Sequence, residues 1–453
     1  MIVASHRGPQ SFVRTDDGFE GRRGAGGVVS ALRPLLGGTS VKWVAAPVDD
    51  DDRAAVAAGA ATSDEFDLHL LPLDPVAHRL AYHVVSNSIL WFLHHGLFDL
   101  ARRPVVDARF REAWNAYEEV NQAFADEIAG FADHGEIVLV QDYHLALVPG
   151  VLCDQRPDLK VVFFQHTPFC GPTSVRILPD EAANHLLGSL AAAPAGFHVP
   201  RWARAYRASA AEVLGAAVPA PAFAASLGPD PDALHESASS AETEAERRAL
   251  DDTIGDRRLI LRVDRIEPSK NILRGFQAFD LLLEQRPDLR GRVVFGALVY
   301  PSREGLPEYL AYRQEVEQAA VRVNDRWATG GWQPVLFDAE DTYARSLAGL
   351  MRYDVLLVNP IRDGLNLVAK EGPVLNQRDG QVVLSREAGA YDDMGDAVFP
   401  VNPFDLVQTA EAMGAALDLE PGERAAQAKA ARELAEARTP RHWLDDLLAQ
   451  AGE

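Results

Sequence analysis

Two stretches of the chain combine residue types that handle phosphorylated ligands. The first, Asn359-Pro360-Ile361-Arg362-Asp363-Gly364-Leu365-Asn366-Leu367-Val368-Ala369-Lys370-Glu371, leaves an apolar run at Val355-Val358 and enters an amphipathic one. Gly364 permits a tight turn, and the amides that follow it form a helix start able to receive phosphate. One turn further, the Glu371 carboxylate can accept hydrogen bonds from a vicinal diol. A nucleotide offers both groups, in its diphosphate and its ribose. An ordinary strand-to-helix turn ending in a solvated Glu reads the same way, so this segment alone leaves both readings open. The second stretch is Arg262-Val263-Asp264-Arg265-Ile266-Glu267-Pro268-Ser269-Lys270-Asn271, where a strand ends and a helix begins near Ser269. Arg265 and Lys270 stand where they can neutralise a departing diphosphate, although surface ion pairs account for them equally well.

Other polar residues also end apolar runs. Asp142 follows Ile137-Gln141, a place where open α/β sheets carry ligand sites. His166 ends Val161-Gln165, and a satisfied core histidine is as natural there as a functional one. Tyr82 and Trp91 are either pocket or core aromatics.

These positions are set by short β-rich runs alternating with amphipathic ones, the pattern of parallel strands joined by crossover helices. Strands are expected at Ile2-Ala4, Val41-Ala46, Leu68-Leu71, Ile137-Gln141, Val161-Gln165 and Gly196-Val199. A second series follows at Leu259-Val263, Val293-Leu298, Pro334-Phe337, Val355-Val358, Val382-Ser385 and Ala397-Val401. Between them, Pro229 to Asp256 is polar and reads as a linker with a surface helix. The expected class is α/β, with two doubly wound Rossmann-like domains and a ligand site in the cleft between them.

The two cationic and glycine-bearing segments, in this order, resemble the trehalose-6-phosphate synthase family of retaining glycosyltransferases (family 20), whose fold is GT-B. Further matches span the chain: Ser5-His6-Arg7 with Gly24-Ala25-Gly26-Gly27, Tyr82 with Ser86-Asn87-Ser88-Ile89-Leu90-Trp91, Gln141-Asp142-Tyr143-His144-Leu145, Phe163-Phe164-Gln165-His166-Thr167-Pro168-Phe169, Pro301-Ser302-Arg303 and Gly331-Trp332 before Pro334. The resemblance implies a nucleoside-diphosphate glucose donor (UDP or GDP), a glucose 6-phosphate acceptor and α,α-trehalose 6-phosphate as product, with no metal and no cofactor. It places Gly26 and Gly27 against the donor, and Arg265 and Lys270 on its diphosphate. His166 and Asp363 fall on the transferred glucose; Gly364, Leu365, Asn366, Leu367, Val368 and Glu371 cover diphosphate and ribose. Arg265, Lys270, His166 and Asp363 are thereby the catalytic set. Arg7, Tyr82, Asp142 and Arg303 would hold glucose 6-phosphate, with Trp91 lining the sugar pocket.

The same resemblance implies a first domain over residues 1–227, a donor domain over 228–438, and a last helix over 439–453 that crosses back to the first. It also implies a homodimer or homotetramer. Departures lie beside the contacting residues: His6 replaces the usual Asn, Gln141 replaces His, and Phe92 follows Trp91 where Pro is usual. Such neighbours shape pockets, so they bear on donor and acceptor choice. Two rival readings share the motifs: a pseudoglycosyltransferase joining a nucleotide cyclitol to an aminocyclitol phosphate, and a non-catalytic synthase-like regulatory subunit.

Composition narrows the partners. The chain of 453 residues carries 44 Lys plus Arg against 66 Asp plus Glu, a net charge of -22 that repels nucleic acid and anionic lipid. An anionic substrate must therefore be held by a few placed cations. The longest uncharged stretch, Val213 to Pro229, is broken by Gly and Pro and is no membrane span. With no leader pattern after Met1, a cytoplasmic protein is expected. Two cysteines, Cys153 and Cys170, are too few for a disulfide framework. The pair His94-His95 lacks a third ligand at metal spacing, and the run Asp49 to Asp52 reads as a solvated loop.

Overall fold

The computed structural model describes residues 1–16, 18–24, 27–37, 41–303 and 305–452. The chain divides into two units, Met1–Ser226 with Pro440–Glu453, and Leu227–Thr439. Each is built on one parallel sheet, as the alternating runs predict.

The first unit contains β1 (Ile2–Ser5), an antiparallel hairpin of β2 (Gln10–Thr15) and β3 (Gly18–Arg23), then β4 (Lys42–Ala45), β5 (Asp67–Leu70), β6 (Ile137–Gln141), β7 (Lys160–Gln165), β8 (Ala195–Phe197) and β9 (Ala222–Ala224). Its sheet runs β5-β4-β1-β6-β7-β8-β9. The second contains β10 (Arg258–Ile266), β11 (Val293–Pro301), β12 (Val335–Asp338), β13 (Val355–Val358), β14 (Gln381–Ser385) and β15 (Phe399–Val401), in the order β12-β11-β10-β13-β14-β15. In both sheets the winding direction reverses beside the first strand, between β1 and β6 and between β10 and β13. Connections leave such a pair in opposite directions and open a crevice at its carboxyl ends. Ser5 pairs with Gln141, so the residues after β1 and β6 emerge side by side.

Apolar spacing explains how the sheets are covered. Helix Ile272–Gln285 buries Ile272, Gly275, Phe276, Phe279, Leu282 and Leu283, one face of a 3.6-residue period, against Ile260, Phe295 and Leu357 of the sheet. Trp43, Phe163 and Phe164 fill the first unit, where Trp443 of the last helix, Pro440–Gln450, is fully buried with its ring 5.2 Å from that of Phe164.

The structure departs from the sequence reading in three places. Pro229 to Asp256 holds the expected surface helix but is not otherwise a linker: it folds as two helices, Pro231–Ala238 and Ala241–Ile254, which bury Leu234, Leu250 and Ile254 within the second unit. Their apolar positions are sparse among charges, which hid the buried stripe. Asp49 to Asp52 opens a helix rather than a loop, with Asp49 accepting from the amide of Asp52 and Asp52 itself buried, accepting from the amides of Phe12 and Val48. Strands β2, β3 and β9 were not expected, because the hairpin carries one buried apolar side chain, Phe12, and β9 has only three residues.

Candidate active site

In the second unit, the loops after β10 and β13 meet through an ion-pair network. Lys270 Nζ lies 2.7 Å from Asp363 Oδ2 and 3.6 Å from Asp264 Oδ1. Fully buried Arg262 donates to Asp264 Oδ2 at 2.9 Å, to the Lys270 carbonyl at 2.9 Å, and to the side chain of Asn359. Backbone contacts complete the brace: Ile361 N donates to the Ser269 carbonyl, and Asn271 Nδ2 to the Asn359 carbonyl. Sequence reasoning gave Arg262 no role. A charged residue inside the run Leu259-Ile260-Leu261-Arg262-Val263 was the available signal, because such a charge persists in a buried strand only when paired.

Electrostatics fix the charge states. Burial works against the Lys270 ammonium, but Asp363 and Asp264 outweigh it and hold its pKa above the ordinary value. Arg265 pairs with Glu267 at 2.7 Å, and Ser302 Oγ donates to the same carboxyl oxygen. Burial raises the Glu267 pKa, but Arg265, Arg303 and Lys270 together pull it below normal. Arg265 and Arg303 are thus close enough to repel each other. Arg303, at φ 48°, contacts the Tyr309 hydroxyl. This unit therefore gathers three cations, Arg265, Lys270 and Arg303, at one sheet edge.

The segment after β13 wraps around Asp363. Its Oδ1 accepts from the amide of Leu365, and its Oδ2 from Lys270 and Asn366. The sequence reading gave the tight turn to Gly364; the left-handed residue is Asn366, at φ 73°. Asparagine tolerates that conformation because its short amide bonds locally, here to Asp363 and to the amide of Ala369. Gly364 is instead packed: a Cβ on Gly389 would lie 2.0 Å from the Gly364 carbonyl oxygen. Gly389→Ala is accordingly expected to push the Asp363 loop out of place and to lower kcat/KM by about 10²-fold, as read in nucleotide-sugar titrations and turnover. Beyond Asn366, Leu367 and Val368 begin helix Val368–Leu375 partly exposed. Glu371 follows on its first turn, half-buried and with no side-chain ion partner among the described residues, and burial pushes its pKa up to about 7.

In the first unit, β1 and β6 deliver Arg7 and Asp142. Arg7 is exposed, and its carbonyl accepts from Ser5 Oγ at 2.7 Å. Asp142 has φ 69°, and its Oδ1 accepts from the amide of His166 at 3.2 Å. His166 Nε2 meets Gln141 Oε1 at 3.0 Å. An amide oxygen only accepts, so Nε2 carries the hydrogen and Nδ1 remains an acceptor. Burial, then His198, hold the His166 pKa well below normal, which keeps the ring neutral. Gln141 Nε2 and the Thr167 hydroxyl are buried with no hydrogen-bond partner among the described residues, whereas most buried polar groups are paired.

Tyr82 and Trp91 sit on one continuous helical rod: Pro75–Arg79, a wider π-helical stretch Leu80–Leu90, and Trp91–His95. The Tyr82 ring stacks on His6 at 4.4 Å and 5°. Trp91 is 2% exposed and packs on His95 and Phe92, the surroundings of a core aromatic. His94 and His95 are buried, His95 on the Trp91 carbonyl and His94 on the Cys170 amide. Gly26 lies outside the described residues, and Gly27 begins helix Gly27–Leu36. Among the described residues, no group of three or more His, Cys, Asp or Glu is arranged to hold a metal ion, and no helix is long and apolar enough to cross a membrane.

The family model for glycosyltransferase family 20 matches residues 1–453. A trehalose-6-phosphate synthase of Mycolicibacterium vanbaalenii is 32% identical over 99% of this chain and 95% of that protein. A bifunctional trehalose-6-phosphate synthase/phosphatase of Thermoproteus tenax is 29% identical over 99% of this chain, which spans only 63% of that longer relative. The crystal structure of a UDP-forming α,α-trehalose-phosphate synthase from Burkholderia xenovorans in complex with glucose 6-phosphate superposes with a TM-score of 0.85, at 25% identity and full coverage of both chains. The two-sheet architecture is thus the GT-B fold, and the chain belongs to glycosyltransferase family 20.

Proposed function

We propose that the chain transfers glucose from a nucleoside-diphosphate glucose to the anomeric hydroxyl of glucose 6-phosphate, giving α,α-trehalose 6-phosphate with retention at the donor carbon. The observation that carries this reading is the Lys270–Asp363 ion pair of 2.7 Å at the winding reversal of the second sheet, with Arg265 beside it and Glu371 one helical turn beyond. Lys270 and Arg265 would meet the diphosphate, Asp363 the glucose hydroxyls and Glu371 the ribose. The transition state pairs an oxocarbenium-like sugar with a phosphate gaining charge, so fixed cations at the leaving group lower the barrier directly.

In the first unit, neutral His166 offers Nδ1 to a donor hydroxyl. Arg7, Tyr82, Asp142 and Arg303 would hold the acceptor, Arg7 and Tyr82 at its phosphate and Asp142 at its sugar. No carboxylate is assigned as nucleophile: the departing phosphate oxygen takes the acceptor's proton on the same face. The reading uses no metal or resident cofactor and puts the protein in the cytoplasm. UDP is the nucleotide named for the Burkholderia relative, and the glucose 6-phosphate bound there supports the acceptor.

A release assay with UDP- and GDP-glucose tests the reading. Nucleoside diphosphate should appear only when glucose 6-phosphate is present, with trehalose 6-phosphate as product. Release with an aminocyclitol phosphate alone would reassign the chain to pseudoglycosyl transfer, and binding without release to a regulatory role.

A further inference from the structure

The first unit holds a cluster of basic side chains larger than a sugar phosphate requires. His6 Nε2 lies 2.9 Å from His78 Nε2, both rings buried. At that distance one nitrogen donates and the other accepts, so the two rings share a single hydrogen. On its faces His6 stacks against Tyr82 at 4.4 Å and against His144 at 5.0 Å. Among the described residues, the charged or titratable groups acting on it are basic: Arg7 on its own loop, His78 on the helix Pro75–Arg79, His83 on the π-helical stretch, and His144 after β6, with Tyr82 stacked on its ring. Behind His78 stand Arg53 and Arg79.

We propose that the His6–His78 pair is a proton-linked floor beneath the acceptor's phosphate: it stays neutral while the site is empty and takes up a proton when a phosphate monoester dianion settles beside Arg7 and Tyr82. This rests on the acceptor reading above. The four histidines and Arg7 repel each other's protons, Arg53 and Arg79 add to this at His78 although Arg53 is itself paired with exposed Asp50, and an anion arriving from outside opposes that repulsion. Burial first, then this surrounding charge, holds His6 well below its ordinary pKa and His78 at about 4. Because the pair shares one hydrogen, a single added proton fits without breaking its contact, and the stack passes the change to the Tyr82 ring. His6 is thus a positioning residue, acting through Tyr82 and through charge.

Calorimetric titration of the full chain with glucose 6-phosphate, near pH 6.5 and in two buffers of different ionisation enthalpy, counts the protons. The native protein should take up more proton on binding than His6→Asn, and its affinity should fall more steeply with rising pH, by up to about tenfold per pH unit for one whole proton. The ligand's own ionisation is common to both proteins and cancels. His78→Asn, which keeps His6 and the stack, should lose the extra uptake too, and stands in if His6→Asn fails to fold. Equal proton counts in native protein and either folded variant would overturn the proposal and leave the acceptor reading intact. No binding to native protein, or binding unchanged by Arg7→Ala, would overturn both.

Discussion

Replacing Lys270 by Met is expected to lower turnover by about 10³-fold, the scale on which a single fixed group at a developing charge acts, while glucose 6-phosphate binds with nearly native affinity. The asymmetry follows from place. Lys270 touches Asp363 and Asp264, all three within the second unit, and in the proposed reaction it meets only the donor's diphosphate. Equal losses in turnover and acceptor affinity would show that Lys270 holds the architecture rather than the leaving group.

The same substitution should also destabilise the protein. It strands the Asp363 carboxylate, 16% exposed, while Asp264 keeps Arg262, and breaking a buried pair from one side costs about 3–5 kcal/mol. Adding Asp363→Asn to Lys270→Met should recover part of that loss in urea unfolding, because the stranded charge is then gone, yet restore no turnover. The cycle separates what the pair does for folding from what it does for chemistry.

How much of this was readable beforehand depended on the range of the interaction. Arg265, Lys270, Asp142 and Asp363 were legible because each follows an apolar β-rich run, and the chain alone says that such residues emerge at a sheet edge. That the strands are parallel was legible from their alternation with amphipathic runs. What stayed hidden was the partner of each group. Nothing local joins His6 to His78 and His144, which the winding of the first sheet and the π-helical rod bring together. Arg262 sat within the expected strand with no role until Asp264, the Lys270 carbonyl and Asn359 appeared around it. The turn after β13 was assigned to its glycine, whereas the hydrogen-bonding of Asn366 to Asp363 decided which residue adopts the left-handed backbone. The charged segment of Pro231–Ala238 and Ala241–Ile254 was read as a linker with one surface helix because the few apolar residues that anchor it gain meaning only against the unit that they cover.

Glu371→Gln should make the protein more stable at pH 8 and worse at its proposed task. Burial alone lifts the Glu371 pKa from its ordinary value of 4.5 to about 7. An acid whose pKa is raised on folding is held more tightly in its protonated form by the native state, so stability falls as pH rises from about 4.5 to about 7 and the full penalty remains above that. The shift corresponds to about 3 kcal/mol, less where water reaches the half-buried carboxyl. The Gln variant has nothing to ionise, so its thermal midpoint should match or trail the native one near pH 5 and exceed it at pH 8. Donor binding should show the opposite dependence. A carboxylate accepts from both ribose hydroxyls more strongly than the neutral acid does, so native affinity for the nucleotide sugar should rise between pH 6 and pH 8, whereas the Gln variant should bind weakly and with little pH dependence. A site that spends stability to keep an unpaired carboxyl ready for a ligand predicts both curves at once. If the variant gained no stability at high pH, the carboxyl would have a partner in the native fold, and its assignment to the ribose would lose its physical basis.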